Sequence, residues 1–188
     1  MLPIEVAASC LSQILLAVRT RVQLESAAVT ARKQVKLSID GSCIGNPGPG
    51  GWACVLRFGG RTGEMYGCEE RTTNNRMELQ AVIEGLRALR KPCVVTISTD
   101  SQYVQRGITE WLETWKANRW RKRSKNTKGG RAVLNQDLWA ELDKRIASHT
   151  VRLQWVKGHA EDPDNLRCDS LANRAAREQI SSNGVIRL

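Results

Sequence analysis

From residue 35 onward, apolar and polar positions recur with regular periods. Val35, Leu37 and Ile39 alternate with Lys36 and Ser38, which predicts a strand that Asp40-Gly41 ends. Gly45-Asn46-Pro47-Gly48-Pro49-Gly50-Gly51 carries Gly and Pro too densely for a regular element and reads as a turn. Trp52–Phe58 reads as a second strand, Gly59-Gly60 begins another turn, and Met65–Arg71 returns as a third strand of an antiparallel meander. Over Thr73–Arg90 the period becomes helical: Glu78, Val82, Gly85 and Leu89 share one face, and Pro92 marks the stop. Cys93–Thr99 is rich in β-branched residues and bounded like a buried strand. Short helical pieces follow through Trp115, then a basic, poorly periodic stretch to Arg131. Asn135–Ala147 places Leu138, Leu142 and Ile146 at i, i+4 and i+8 of a helix. Val151–Val156 alternates as a last strand, and Leu166–Gln179 is an alanine-rich helix. Three strands, then helix, strand, helices, strand and helix, predict an α/β (mixed α+β) domain: a mixed sheet covered by helices.

The first 34 residues follow another pattern. Their longest apolar run, Ile14–Val18, is far short of the roughly 20 residues of a membrane span. Glu5 stands where a secretory signal would carry positive charge, and Glu5 and Glu25 are out of keeping with a mitochondrial transit peptide. Leu11, Leu15, Val18 and Val22 fall on one helical face. The segment reads as a poorly ordered extension, or as the product of a start codon placed too far upstream. The expected organisation is an extension over 1–34, one folded domain over 35–180 and a short tail over 181–188.

Composition narrows the partners. The chain has 188 residues, 41% of them apolar and 26% charged, enough for one domain with a real core. Lys and Arg exceed Asp and Glu by 29 to 19, so the net charge is +10. Such an excess points to a polyanion, nucleic acid before an anionic membrane. None of the six cysteines forms a C-x-x-C pair, and neither His149 nor His159 stands at zinc-finger spacing from them. Cys54, Cys68 and Cys93 lie in apolar or strand-like runs, where a reduced thiol acts as a small hydrophobe. A cytoplasmic protein is expected.

Four acidic residues sit at element ends or on an inward helical face: Asp40, Glu78, Asp100 and Asp169. Carboxylates gathered in a fold repel one another unless divalent cations compensate them, and Mg²⁺, a hard ion that prefers oxygen, is the natural candidate. Two such ions can activate a water and stabilise the leaving oxygen of an in-line phosphoryl displacement. Each residue also has a plainer reading. Asp40-Gly41 suits a turn, Asp100-Ser101 a helix N-cap, Asn75 with Glu78 a capping box, and Asp169 a solvent-facing helical position.

The local wording adds to the spacing. Asp40-Gly41-Ser42-Cys43 with Gly45-Asn46-Pro47-Gly48-Pro49-Gly50-Gly51 resembles the first-strand motif of type 1 ribonuclease H. Thr72-Thr73-Asn74-Asn75-Arg76-Met77-Glu78-Leu79 is similar to its first helix, and Ser98-Thr99-Asp100-Ser101-Gln102-Tyr103-Val104 to its fourth strand. Trp155-Val156-Lys157-Gly158-His159-Ala160 and Arg167-Cys168-Asp169 complete the set in the family's order, so the resemblance runs from about Val35 to Gln179. It implies the ribonuclease H-like fold, a five-stranded mixed sheet with three antiparallel and then parallel strands, flanked by helices and carrying a basic protrusion. It also implies a monomeric endonuclease that cuts the RNA strand of RNA–DNA hybrids and leaves 5′-phosphate and 3′-hydroxyl ends. By the resemblance Asp40 bridges two Mg²⁺ ions, with Mn²⁺ as a substitute. Asp169 holds one ion, and Glu78 and Asp100 the other. His159 matches the family's mobile-loop histidine, associated with proton transfer or product release.

The resemblance further places Cys43, Asn46, Asn74, Asn75 and Gln102 against the RNA strand near the cut. Amide side chains both donate and accept, as does the 2′-hydroxyl they would read. Arg71, Thr73 and Asn135 match a pocket that grips a DNA phosphate, which fixes register without reading bases. Trp111 to Arg131 holds eight cations, Arg121, Lys122 and Arg123 among them, against the single acid Glu113, a local net charge of +7. Trp111 and Trp115 stand one helical turn apart within it. The stretch is similar to the family's basic protrusion over the DNA strand, where cations displace counterions and aromatic faces pack on sugars or bases. A solvated charged face with its tryptophans turned into the core is the alternative. The loop Glu161-Asp162-Pro163-Asp164-Asn165-Leu166 departs from the family pattern in its acidity, and Arg123–Arg131 is slightly long. Two other functional classes stay open: a hybrid-binding module without catalysis, and a transposase- or integrase-type nuclease that cuts duplex DNA.

Overall fold

The computed structural model describes residues 32–122, 130–157 and 162–182. Residues 1–31 of the extension expected over 1–34, Arg123, His159 and most of the predicted tail lie outside the described residues. The chain divides between Lys33 and Gln34, and every element below belongs to the second unit.

Strands β1 (Gln34–Cys43), β2 (Gly48–Phe58) and β3 (Arg61–Thr72) form the antiparallel meander. Helix α1 (Asn74–Arg87) leads to β4 (Val94–Thr99), which pairs parallel to β1. Helix α2 (Gln102–Arg106), a π-helical turn over Gly107–Trp111 and α3 (Leu112–Ala117) precede a two-stranded ribbon of β5 (Arg121–Lys122) and β6 (Arg131–Ala132). Helix α4 (Gln136–Ile146), β7 (Thr150–Trp155) and α5 (Pro163–Glu178) follow. The sheet order is β3-β2-β1-β4-β7, with β7 parallel to β4.

Alternation along β1 assigns its two faces. Val35, Leu37 and Ile39 point into the main core with Leu79, Val82, Ile83 and Leu86 of α1, Val95 and Ile97 of β4, and Trp139 and Leu142 of α4. Asp40 therefore shares the opposite face with Lys36 and Ser38. A smaller cluster of Ala53, Val55, Cys168, Leu171 and Ala172 seats α5 on that side. Burial pushes the Cys54 thiol up to about 12 and raises Cys168 as well, so both stay neutral packing groups.

The structure corrects three expectations. β1 does not end at Asp40-Gly41 but runs three residues past Asp40 to Cys43. The glycine-rich stretch is not all turn: Gly48–Gly51 belongs to β2 and pairs with β1 and β3. Glycine is required there by close approach, since a Cβ on Gly51 would lie 2.3 Å from the Ala172 carbonyl oxygen of α5. The Asn75–Glu78 capping box does not form, because the cap residue of α1 is Thr73 and its side chain makes no capping bond. Glu78 is engaged elsewhere.

Candidate active site

The connections bring four carboxylates from distant parts of the chain to one cleft. Asp40 comes from β1, Glu78 from α1, Asp100 from the residue after β4 and Asp169 from α5, and all four line a cavity of about 310 Å³. β1 and β4 are parallel neighbours with Ser38 opposite Ser98, so Asp40 and Asp100, two residues further on, emerge side by side. Glu78 is buried and reaches the cleft from the helix that covers the other face of the sheet.

Three of the four carboxylates are held by described neighbours. The Gly41 N–H donates to Asp40 Oδ1 at 2.8 Å. Asn74 Nδ2 donates to Glu78 Oε1 at 3.0 Å, and the Ser101 hydroxyl donates to Glu78 Oε2. Ser101 Oγ also accepts from the Val104 N–H, so one side chain caps α2 and orients Glu78. Asn173 Nδ2 donates to Asp169 Oδ1 at 2.8 Å, while its Oδ1 accepts from the Ser42 hydroxyl of β1 at 2.8 Å.

The electrostatics carry the mark of crowding. Burial pushes the Asp40 carboxyl up to about 7, with the Asp100 charge next in weight and Asp169 and Glu78 adding to it. Burial likewise raises Glu78 to about 7 against the Ser101 hydrogen bond, with the Asp100 charge adding to the rise. Among the described residues, no three acidic, histidine or cysteine side chains stand close enough to hold an ion as they are. The donor set still suits a hard divalent cation: every candidate donor is a carboxylate oxygen, and repulsion among them is what such a charge relieves.

Around this cleft the predicted substrate residues fall into two sets. Asn46 Oδ1 accepts from the Asn74 N–H at 3.0 Å, which joins the β1–β2 connection to the start of α1. Cys43 is half-buried, with its thiol directed to the Gly48 and Thr72 carbonyls. Asn75 is half-buried in the first turn of α1, and Gln102 is exposed in the first turn of α2. On the outer side, Arg76 forks onto Asp137 at 2.8–3.0 Å and draws together the N-termini of α1 and α4. Their cap residues are Thr73 and Asn135, and neither side chain makes a capping bond. Asn135 is in the left-handed region at φ 57 and donates to the Tyr103 hydroxyl at 3.2 Å. Arg71 is exposed just upstream.

Trp115 requires a correction. It is only 5% exposed and meets Trp139 edge-on at 5.3 Å between ring centroids, so it is a core residue and does not pack on nucleic acid. Trp111 is half-buried against it, and the Lys122 ammonium stands over both indoles. Arg121 and Lys122 are exposed on β5. Sequence reasoning missed Asn173 as a partner of Asp169, although the i,i+4 spacing could have revealed it. It read Ser101 only as a cap.

The family description "RNase H" matches residues 32–177. A protein named Ribonuclease H from Solibacter usitatus is 54% identical over 150 residues, 80% of this chain and 99% of that protein. Another of that name from Bordetella pertussis is 54% identical over 142 residues, 76% of this chain and 88% of that protein. Among solved structures, LC9-RNase H1, described as a type 1 RNase H with the type 2 active-site motif, aligns at TM-score 0.70 and 32% identity over 81% of this chain and 76% of that one. LC11-RNase H1 in complex with RNA/DNA hybrid shares the fold at TM-score 0.54 and 20% identity, over 77% of this chain and 97% of that one.

Proposed function

The chain belongs to the ribonuclease H family, and on that premise we propose that Asp40, Glu78, Asp100 and Asp169 form the metal-dependent centre with which it cuts RNA–DNA hybrids. The enzyme hydrolyses the RNA strand of the hybrid. The observation that carries the site assignment is the meeting of these four side chains in one cleft. They would hold two Mg²⁺ ions, with Mn²⁺ as a substitute. Bound there, the ions supply positive charge against the phosphate and favour ionisation of water.

The protein's own residues do the rest. Gly41, Ser101, Asn74 and Asn173 orient Asp40, Glu78 and Asp169 through hydrogen bonds. Asn46, Asn74, Asn75, Gln102 and Cys43 line the approach of the RNA strand, where amides match hydroxyls that donate and accept. Arg71, beside Thr73 and Asn135 at the starts of α1 and α4, would offer positive charge and polar side chains to a DNA phosphate. Arg121, Lys122 and Arg123 would extend that grip along the DNA strand, with Lys122 carried over the Trp111 and Trp115 rings. His159 would serve proton transfer or product release. Cleavage of the P–O3′ bond leaves a 5′-phosphate and a 3′-hydroxyl.

We assign this activity to residues 35–180 of a monomeric, cytoplasmic enzyme, with 1–34 as an extension and 181–188 as a tail. Among the described residues, no helix is long and apolar enough to cross a membrane. The test is incubation with labelled hybrid, RNA duplex and DNA duplex, with and without Mg²⁺. Cleavage of hybrid RNA alone, dependent on the ion and abolished by Asp40→Asn, is the expected result. Full activity of Asp40→Asn, or cutting of duplex DNA in preference to hybrid, overturns the assignment.

A further inference from the structure

Asp169 is carried by α5, whose first turn is fastened to the sheet by a four-residue ion cluster. Lys36 Nζ of β1 donates to Asp162 at 2.9 and 3.2 Å and to Asp164 at 3.3 Å. Arg57 of β2 forks onto Asp164 through Nε and Nη2 at 2.6–2.9 Å, and its Nη1 reaches Thr62 of β3 at 3.1 Å. Asp164 is 5% exposed. Asp162 is the helix cap and accepts from the Asp164 N–H at 3.0 Å. The unusual acidity of this loop is thereby matched by two cations from adjoining strands.

Beyond Asp169, the backbone of α5 rests directly on Gly51, where a Cβ would meet the Ala172 oxygen at 2.3 Å and the Ala176 nitrogen at 2.5 Å. That seat sets the distance of the helix from the sheet, but flat packing does not stop a helix sliding along its axis or turning about it. Between the cluster and Asp169, the buried Ser38 Oγ, Ser98 Oγ and Asn165 Nδ2 have no hydrogen-bond partner among the described residues. The Cys168 thiol donates to the Ser38 carbonyl at 3.3 Å and Asn173 accepts from Ser42 at 2.8 Å, but the charged, forked bonds that fasten a buried part of α5 to the sheet are those at Asp164, with Asp162 beside it. Five residues of helix separate Asp164 from Asp169, about 7.5 Å of nearly rigid rise.

We infer that Lys36 and Arg57 are positioning residues of the active site: by clasping Asp162 and Asp164 they set the axial register of α5 and so the place of the Asp169 carboxylate. The inference rests on the reading of Asp169 as a metal ligand. Arg57 outweighs Lys36 because a planar fork fixes direction, whereas an ammonium fixes only distance.

The test uses the full chain and measures Mn²⁺ binding calorimetrically without substrate, together with kcat, KM and melting temperature. Arg57→Gln is expected to weaken Mn²⁺ binding and lower kcat about five- to tenfold, with KM for hybrid within twofold. Arg57→Lys, which keeps the charge and loses the fork, should fall between. Arg167→Gln breaks the exposed fork from the same helix to Glu64 of β3 and serves as the control, with under twofold change in either quantity. If Arg57→Gln does not fold, Lys36→Gln and Arg57→Lys carry the same comparison. A lower melting temperature with unchanged Mn²⁺ affinity and kcat overturns the clasp and leaves it a plain stabiliser. Asp169→Asn separates the two levels: unchanged Mn²⁺ binding in that variant overturns the ligand assignment itself.

Discussion

Replacing Gly41 by alanine would put a methyl group between β1 and α1 where there is no room for one. Its Cβ would lie 2.4 Å from the Glu78 nitrogen, 2.7 Å from the Met77 carbonyl carbon and 2.9 Å from the Met77 Cβ. The two nearest are backbone atoms, so no rotamer change relieves the clash. Ordinary van der Waals approach begins at 3.4 Å, so the helix must retreat by about 1 Å at the residue that carries Glu78. The Gly41 N–H also holds Asp40, and the displacement therefore opens the gap between two carboxylates of the site. Misplacement of about 1 Å can lower a rate by about 10²-fold, and overpacking a core costs about 1–3 kcal/mol. The expected result is a kcat down about 10- to 100-fold at saturating Mg²⁺, with KM for hybrid changed less than about threefold. The melting temperature should fall by about 2–4 °C for each kcal/mol of destabilisation. Gly59→Ala is the comparison: it sits at φ 52 with nothing within 4 Å, so it should cost stability but not rate. A folded Gly41→Ala enzyme with native kcat would refute the idea that β1–α1 spacing sets the site.

Other expected outcomes follow from the same geometry. Asp40 and Glu78 titrate near 7, above the ordinary carboxylate range, so the metal-free protein is stabilised by their protonated forms below about pH 4 and loses that contribution as the pH rises through about 7. Calorimetry in EDTA should show a falling melting temperature across this window, and Mg²⁺ should raise it more at pH 8 than at pH 5.5; equal shifts at both would contradict the crowding argument. Ser101→Ala removes both the α2 cap and a donor to Glu78, and should lower stability by about 1 kcal/mol and kcat severalfold in steady-state assays. Neutralising Arg121, Lys122 and Arg123 should raise KM and flatten its salt dependence, by about 0.9 in log–log slope for each DNA phosphate that is no longer neutralised. An unchanged slope would remove this ribbon from the substrate interface.

The fold was legible where local pattern and tertiary demand agree. Alternation marked the core face of β1, helical period marked α1, and the parallel β4 stood out by its β-branched run. It was hidden where tertiary packing overrides local preference. Gly48–Gly51 looks like a turn because glycine usually makes one, yet here it is a strand thinned so that α5 can approach. Trp115 reads as an aromatic within a basic surface, and only the edge-on packing against Trp139 shows that it supports the ribbon from inside. The four carboxylates were recognisable from their flanking words. Lys36 and Arg57 were not, because their partners lie more than 100 residues away and nothing local marks them.

The placement of Asp169 on α5 has a consequence for synthesis. A chain leaving the ribosome carries three of the four acids once residue 100 has emerged, but the fourth lies nearly 70 residues later on the closing helix. Until that helix docks, a nascent or misfolded polypeptide lacks one of the four carboxylates of the proposed site. On the proposed reading of the site, the order of the elements leaves it incomplete until α5 has been synthesised and docked.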